Sequence, residues 1–202
     1  MSSRLMDPAA LRIIHYPHPT LRRASKAIKR VDGELVSLVH RMVKLMHEAD
    51  GLGLAANQVN LPFRLFVANL KSVTNEDADL VFINPVISRP KGRAEMSEGC
   101  LSFPELYAPV TRAKQVHIQA FTLEGKEINT VLEGLAARVV QHETDHLDGI
   151  VFPDRMTPEA QRDIEAELDE FRLEFESERR NGKIPDDQEL EAQLIEWENR
   201  YC

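Results

Sequence analysis

Two histidines four residues apart, with a glutamate directly after the first, are the residues of this 202-residue chain whose types and spacing most clearly indicate chemistry. They are His142, Glu143 and His146, in the segment QHETDHLDG. On a helix, side chains four residues apart share one face, so both imidazoles can bind a single metal ion. Glu143 lies about 100° around the helix from His142 and can reach a water molecule on that ion without binding it. This HExxH pattern is typical of two zinc ligands and a general base.

A catalytic zinc site usually needs a third protein ligand, for which the chain offers several candidates. Asp148 and Asp154 are weak ones, and no third histidine follows His146 at a suitable distance. Cys100 lies among small and polar neighbours in EMSEGCLSFPE, a stretch too irregular for the interior of a strand. A thiolate beside two imidazoles suits zinc or ferrous iron, so we favour Cys100. The alternatives are an ordinary buried cysteine and a solvated helix face that carries two chance histidines.

Helices and one tight loop are expected to position these residues. Residues 32–50 repeat apolar side chains at helical spacing and stop at Gly51. The small-residue segment GLGLAANQVNLP, which begins at Gly51, predicts a loop whose backbone closely approaches another group. From Gly134 to Asp148 the helical pattern returns, so the two histidines are expected to lie on this second helix.

Strand-like segments fill the middle of the chain. They comprise residues 64–70, 80–87, 115–123 and 127–132. The last two are predicted to form a hairpin around Glu124 and Gly125. Because the strands follow one another between two helices without regular βαβ alternation, we predict an α+β fold.

After Pro153 the chain changes character, and we predict a catalytic domain at 1–156 followed by an acidic helical extension at 157–202. Thr157 can cap a helix with Pro158 at its first position, and NGKIP breaks the helical pattern at 181–185. Both helices carry an apolar stripe that needs a partner: the other helix, the body of the chain or another subunit. A homo-oligomer formed through these helices is therefore one expectation.

Composition excludes several classes of protein. The net charge is −8, and the segment 157–202 alone holds 15 acidic and 6 basic residues, which leaves the rest near neutral. No direct binding of nucleic acid is expected from this charge. No apolar run approaches the ~20 residues that span a membrane, and the opening residues contain no apolar segment of a signal peptide, so no secretory signal is expected. With two cysteines a disulfide framework is not expected, which favours a cytoplasmic protein of bacterial type or an organellar one.

Three motifs together resemble those of the peptide deformylase family. They are GLGLAANQ at 51–58, EGCLS at 98–102 and QHETDHLDG at 141–149, in the family's order and with suitable separations. The opening IIHYPHPTLRRASKAI also resembles the family's N-terminal strand and the approach to its first helix. The resemblance covers residues 11–156 and implies antiparallel and mixed sheets packed around a central metal-binding helix, with an N-terminal helix and a C-terminal helical extension.

The resemblance implies a metal-dependent hydrolase that removes the formyl group from the N-formylmethionine of nascent polypeptides. The implied metal ligands are Cys100, His142 and His146. They would hold one divalent ion per chain, usually iron(II) in this family, with nickel, cobalt and zinc as alternatives. Glu143 is the implied general base, and the Gln58 amide and the backbone N–H of Leu101 are the implied donors to the oxyanion.

The implied substrate contacts are made by Leu52, Gly53, Gly99, Tyr107, Leu135 and Val139. The first three would pair backbone with the substrate main chain like an added strand. Leu135 and Val139, seven and three residues before His142, would line the methionine pocket. Tyr107 stands near the rim, where many bacterial members carry arginine, so the preference for later peptide positions stays open.

Two other functions remain open on the residues alone: an HExxH zinc endopeptidase and a non-enzymatic metal-binding module. Glu98 and Arg112 are expected to form a weak surface ion pair. The negative tail argues against electrostatic docking on RNA, so any ribosome contact is expected to be transient. Deletion of 157–202 is expected to change solubility or oligomeric state more than ribosome binding.

Overall fold

The structure, a computed structural model, describes residues 8–70 and 79–202. Its α-helices are α1 (Gly33–Glu48), α2 (Gly134–Leu147), α3 (Pro158–Asp163), α4 (Glu165–Arg180) and α5 (Asp187–Tyr201). Short 3-10 turns comprise Pro8–Ala10, Pro19–Arg22, Ala56–Val59 and Phe152–Arg155. Both helices predicted for the body of the chain are confirmed, because the signals that predict them act locally. At the start of α1, the Asp32 side chain accepts hydrogen bonds from the backbone N–H groups of Glu34 and Leu35.

Within the described residues, seven strands form two antiparallel sheets, which confirms the α+β class. The strands are β1 (Gly53–Ala55), β2 (Leu65–Ala68), β3 (Leu80–Lys91), β4 (Ala94–Cys100), β5 (Phe103–Arg112), β6 (Gln115–Phe121) and β7 (Glu127–Glu133). One sheet has the order β1-β2-β3-β6-β7, and β4 pairs with β5 in the other. The predicted β6–β7 hairpin is confirmed, with Phe121 opposite Glu127.

The β4–β5 hairpin was not predicted, but it agrees with the expectation that Cys100 lies outside the interior of a strand. Cys100 is the last residue of β4, where the pairing register shifts after Gly99. The hairpin has only two strands, so each has an unpaired edge, and such edges tolerate the prolines of β5. The register shift turns the cysteine out of the regular ladder at the point where β4 meets α2.

The N-terminal strand and the tight loop that the sequence predicts both differ in detail from the structure. Residues 11–15 form no strand, although the N–H of Ile14 donates to the Gln58 carbonyl at 2.8 Å and that of Tyr16 to the Ser102 carbonyl at 3.0 Å. The predicted tight loop contains the short strand β1 and a 3-10 turn that carries Gln58.

The central helix α2 packs on the five-stranded sheet. Its buried apolar residues are Ala136, Ala137, Val139, Val140 and Leu147. The helix α1 packs in a second cluster with β2, and β5 joins the Phe152 turn in a third. The histidine-bearing helix therefore lies inside the molecule, where its polar residues must find partners within the protein.

The apolar stripes of the C-terminal extension pack on the body of the same chain. On α5, Trp197 and Tyr201 meet Phe63 edge to face, with ring centroids 5.8 and 5.2 Å apart. Glu198 is 4% exposed and accepts hydrogen bonds from Arg23 and Lys26. A homo-oligomer is therefore not needed to cover these stripes, and the division of the chain at residue 157 remains a prediction.

We expect Trp197→Ala to lower the free energy of unfolding by about 3–5 kcal/mol, because it leaves a large cavity against Phe63. Ile195→Ala on the exposed side of α5 is the control, and its effect should stay within about 0.5 kcal/mol. Urea unfolding at two protein concentrations measures both. Similar effects of the two substitutions, or a transition that depends on protein concentration, would contradict packing within one chain.

Among the residues that the structure describes, no helix combines the length and the apolar character needed to cross a membrane.

Candidate metal centre

The end of β4 and the inner face of α2 bring Cys100, His142 and His146 together. One potential ligand atom from each lies within 4.8 Å of the others. The Cys100 sulfur is 3.2 Å from His146 Nε2, and the two imidazole rings meet edge to face with centroids 5.0 Å apart. The pairing that the HExxH spacing predicts is thus present, and the cysteine, separated from His146 by 46 positions, joins it through the tertiary fold.

A soft or borderline divalent cation fits this donor set, since one sulfur and two imidazole nitrogens face one point. His142 Nδ1 lies 3.1 Å from Glu98 Oε2, which leaves Nε2 free to bind a metal. Glu143 Oε2 is buried and has no hydrogen-bond partner among the described residues. An unpaired, buried carboxylate oxygen beside these three residues is expected of a site that binds a cation and a water molecule.

Glu98 holds His142 in place through a buried ion pair, which corrects the expectation of a weak surface pair. Glu98 and Arg112 are each 6% exposed, and Arg112 Nε and Nη2 donate to the two Glu98 oxygens at 2.7 and 3.0 Å. Burial would raise the pKa of Glu98, but hydrogen bonds from His142 and Arg112 outweigh it and lower the pKa to about 2. A permanent anion on Nδ1 orients the ring and fixes its tautomer.

Arg138 is a buried residue of the site that the sequence interpretation missed. Its Nη1 contacts Glu98 and donates to the Val110 carbonyl at 2.9 Å, while Nη2 donates to the Ala94 carbonyl at 2.7 Å. The side chain therefore ties both strands of the β4–β5 hairpin to α2. The sequence does contain a signal that Arg138 belongs to the site. Arg138 lies four residues before His142, on the same face of a helix that is otherwise apolar there.

Glu143 and Gly53 meet at the bottom of the site. Glu143 is 4% exposed, and burial raises its pKa to about 7. A Cβ atom at Gly53 would overlap the Glu143 carboxylate. This is the close approach of backbone that the glycine-rich segment predicts, and only a residue without a side chain fits it.

The Gln58 amide points into the site rather than to solvent. Its Oε1 accepts a hydrogen bond from the Ala55 N–H at 2.8 Å, and its Nε2 lies 3.1 Å from Ser102 Oγ and 3.4 Å from Cys100 Sγ. Because Ala55 fixes the oxygen end, the NH₂ end must face the metal ligands. Leu101, which directly follows Cys100, lines the same cavity.

A cavity of about 650 Å³ opens onto these residues. It is lined by all six predicted substrate contacts: Leu52, Gly53, Gly99, Tyr107, Leu135 and Val139. The Tyr107 side chain is 69% exposed and lies over Gly99, where any Cβ atom would meet its ring. Ile13 and His15 also line the cavity, and nothing in their local sequence indicated it.

Comparisons with known proteins agree with this geometry. The family model described as polypeptide deformylase matches residues 10–162. The chain is 53% identical over 191 residues to a peptide deformylase of Rhodopirellula baltica, covering 95% of each protein. It is 40% identical over 167 residues to the chloroplastic peptide deformylase 1B of Oryza sativa subsp. japonica, which covers 82% of this chain and 62% of the relative. A crystal structure of a plant peptide deformylase superposes with a TM-score of 0.79 at 38% identity, covering 90% of this chain and 98% of the other.

Proposed function

The chain belongs to the peptide deformylase family, and from that membership we propose that its cavity takes the N-formylmethionine end of nascent polypeptides and releases formate. Members of the family are metal-dependent hydrolases of such peptides. The observation that carries the proposal is the convergence of Cys100 with His142 and His146 beside the buried Glu143.

Cys100, His142 and His146 would hold one divalent cation, which supplies Lewis acidity and lowers the pKa of a bound water to about 7. Glu143 accepts the proton of the attacking water at its unpaired Oε2 and returns it to the departing amine. Its burial keeps bulk water from competing for that proton. Glu143 can therefore act as base first and as acid second without leaving its position.

The formyl oxygen gains negative charge as the carbon is attacked, and Gln58 and Leu101 are placed to meet it. Gln58 offers its NH₂ group, which the bond between its Oε1 and Ala55 holds in orientation. The backbone N–H of Leu101 is the second donor in this proposal. Loss of one such donor usually costs about 2.7–4 kcal/mol of transition-state stabilisation.

The cavity wall supports an extended peptide with methionine first. In this proposal Gly53 on the edge strand β1 and Gly99 on the edge strand β4 pair backbone with the substrate main chain. Leu52, whose carbonyl already accepts a hydrogen bond from the Asn69 N–H, lines the cavity beside them. Leu135 and Val139 supply apolar surface for the methionine side chain. Tyr107, exposed at the rim, is placed to contact the residues that follow.

Formate release from a formyl-Met tripeptide, compared with cleavage of an unmodified protein such as casein, tests this function. We expect formate from the formylated peptide and no internal cleavage. An acetyl-Met peptide of the same sequence is the matched control and should react far more slowly, since the extra methyl group must enter the space beside Gly53 and Gln58. Cleavage of casein without formate release would favour the zinc endopeptidase instead.

Iron(II) is the proposed ion in the cell. The thiolate of Cys100 is a soft donor that suits ferrous iron as well as zinc, and a thiolate-bound ferrous centre is sensitive to oxidation. We expect anaerobically prepared iron enzyme to turn over formyl-Met peptides faster than the same protein loaded with zinc. Equal rates for the two preparations would contradict the preference, and exposure of each to air is the control, since only the iron form should lose activity.

The place of action follows from the proposed substrate. Nascent chains with an N-terminal formyl group are expected in a cytoplasm of bacterial type, where we place the enzyme. The chloroplastic name of the rice relative makes an organelle the alternative.

A further inference from the structure

The end of β3 and two neighbouring turns bring four basic side chains to one corner of the molecule. Arg89 and Lys91 lie at the end of β3, Arg93 lies in the β3–β4 turn, and Lys114 lies in the β5–β6 turn. The turns touch, because the Lys114 N–H donates to the Lys91 carbonyl at 3.1 Å and the Lys114 side chain lies against Gly92. All four side chains are exposed. We name these four residues the basic corner.

The charges of the basic corner are not neutralised by ion pairs. Within the part of the chain that the structure describes, none of its four side chains makes an ion pair or a hydrogen bond. Many arginines elsewhere are paired, such as Arg23 with Glu198 and Arg179 with Asp187. Two carboxylates flank the corner, Glu95 and Glu133, and the latter is held by Gln115. The cations outnumber them, so the corner keeps a local positive charge on a negative protein.

A groove of about 950 Å³ continues from the basic corner behind α2. Its charged lining residues are Arg64, Arg93, Arg112, Arg155, Asp145 and Asp148. Both carboxylates are already engaged, since Asp148 pairs with Arg64 at 2.6 Å, and Asp145 with Arg112 and Arg155. Among the described residues that line it, none carries an aromatic ring. Three of the four arginines are in turn held by these carboxylates, so Arg93 of the basic corner is the groove cation that is left to meet a negatively charged backbone. The groove residues named here offer no surface on which bases could stack.

We propose that the basic corner and its groove dock the phosphate backbone of double-helical RNA. Phosphate contacts from lysine and arginine supply sequence-independent affinity, and double-helical RNA is recognised mainly through its shape and backbone. Single-stranded RNA is a poorer fit, because its binding usually relies on aromatic stacking platforms. This inference goes beyond the proposed reaction and does not depend on it.

Docking at this corner leaves the catalytic cavity open. Glu98 lines the cavity and its partner Arg112 lines the groove, so the buried pair separates the two. None of the four residues of the basic corner lines the catalytic cavity. Binding of RNA and turnover of a free formyl peptide can therefore be measured independently on the same protein.

The test uses the full chain and a fluorescent RNA duplex of about 16 base pairs, the span of a typical double-stranded-RNA domain. Anisotropy titrations between about 50 and 200 mM salt give the affinity and its salt slope. We expect Lys91→Glu with Arg93→Glu to weaken binding by at least about tenfold and to lower the salt slope by about two. Lys44→Glu with Lys126→Glu changes the net charge by the same amount at distant exposed positions and should leave the slope unchanged.

Equal losses in the two double variants would overturn the proposal, because they would reflect net charge alone. So would binding to vesicles of anionic lipid that exceeds binding to the duplex. Turnover of a formyl-Met tripeptide should be unchanged in both variants. If Lys91→Glu with Arg93→Glu loses turnover, Lys91→Gln with Arg93→Gln replaces it. A smaller but clear loss of RNA affinity is expected for this variant, and an unchanged affinity would overturn the proposal.

Discussion

Replacement of Glu143 by glutamine should lower kcat by about 10²–10⁴-fold, the usual contribution of a positioned general base. The amide keeps the shape of the side chain but cannot take a proton from water. It is also neutral, so it removes a buried carboxylate whose Oε2 has no partner among the described residues. The free energy of unfolding should therefore stay the same or rise. Steady-state kinetics with a formyl-Met peptide and urea unfolding measure the two effects.

Measurement of the metal content shows whether turnover is lost through removal of the general base or through loss of the metal ion. Glu143 is not one of the three converging ligands, so Glu143→Gln and a second variant, Glu143→Ala, should each retain one ion per chain. Glu127→Gln on the exposed strand β7 is the matched control and should behave as the parent protein. A Glu143 variant that keeps its metal and its full turnover would leave only a metal-binding module.

Replacement of Cys100 by alanine should abolish stable metal binding and, with it, deformylation. The sulfur is the only ligand that β4 contributes, and two imidazoles from one helix are fewer than the three protein ligands that catalytic zinc sites usually have. We expect the purified variant to contain almost no metal after dialysis. With cobalt(II), the sulfur-to-cobalt absorption of the parent protein should be absent from the variant.

The second cysteine offers the control for this experiment. Cys202 ends the chain after α5, and its sulfur lies near the Lys26 carbonyl rather than near the histidines. Cys202→Ala should therefore keep the metal and the cobalt spectrum. Full metal retention by Cys100→Ala would refute the three-ligand site and would suit an HExxH endopeptidase with a different third ligand.

Local sequence signals found those parts of the fold that depend on local interactions. The α1 helix, the β6–β7 hairpin and the α2 helix follow from apolar periodicity, a turn glycine and helix caps. The β4–β5 hairpin was missed because its prolines and glycine oppose a strand assignment. Its strands are stabilised by pairing with each other and by Arg138 from α2.

The distribution of charge, like the fold, could be predicted from the sequence only in part. The acidic character of 157–202 is visible by counting, and it led to the expectation that the protein avoids RNA. The count cannot show that Arg89, Lys91, Arg93 and Lys114 meet at one corner, because they come from the end of β3 and from two turns that only the sheet topology brings together. Nor can the count show that Glu98 and Arg112 are buried, where their ion pair orients His142 instead of lying exposed at the surface.

The sequence by itself determined the ligand types, the helical spacing of His142 and His146, and the place of Glu143 between them. These properties depend on residue identity and on the geometry of one helix turn. Only the tertiary structure decided that Cys100 reaches the same point, that the Gln58 amide faces it, and that Glu98 and Arg138 lock the hairpin to the helix. Such contacts join residues about 40 positions or more apart, and they are set by the packing of α2 between the sheet and the hairpin, which no local pattern records.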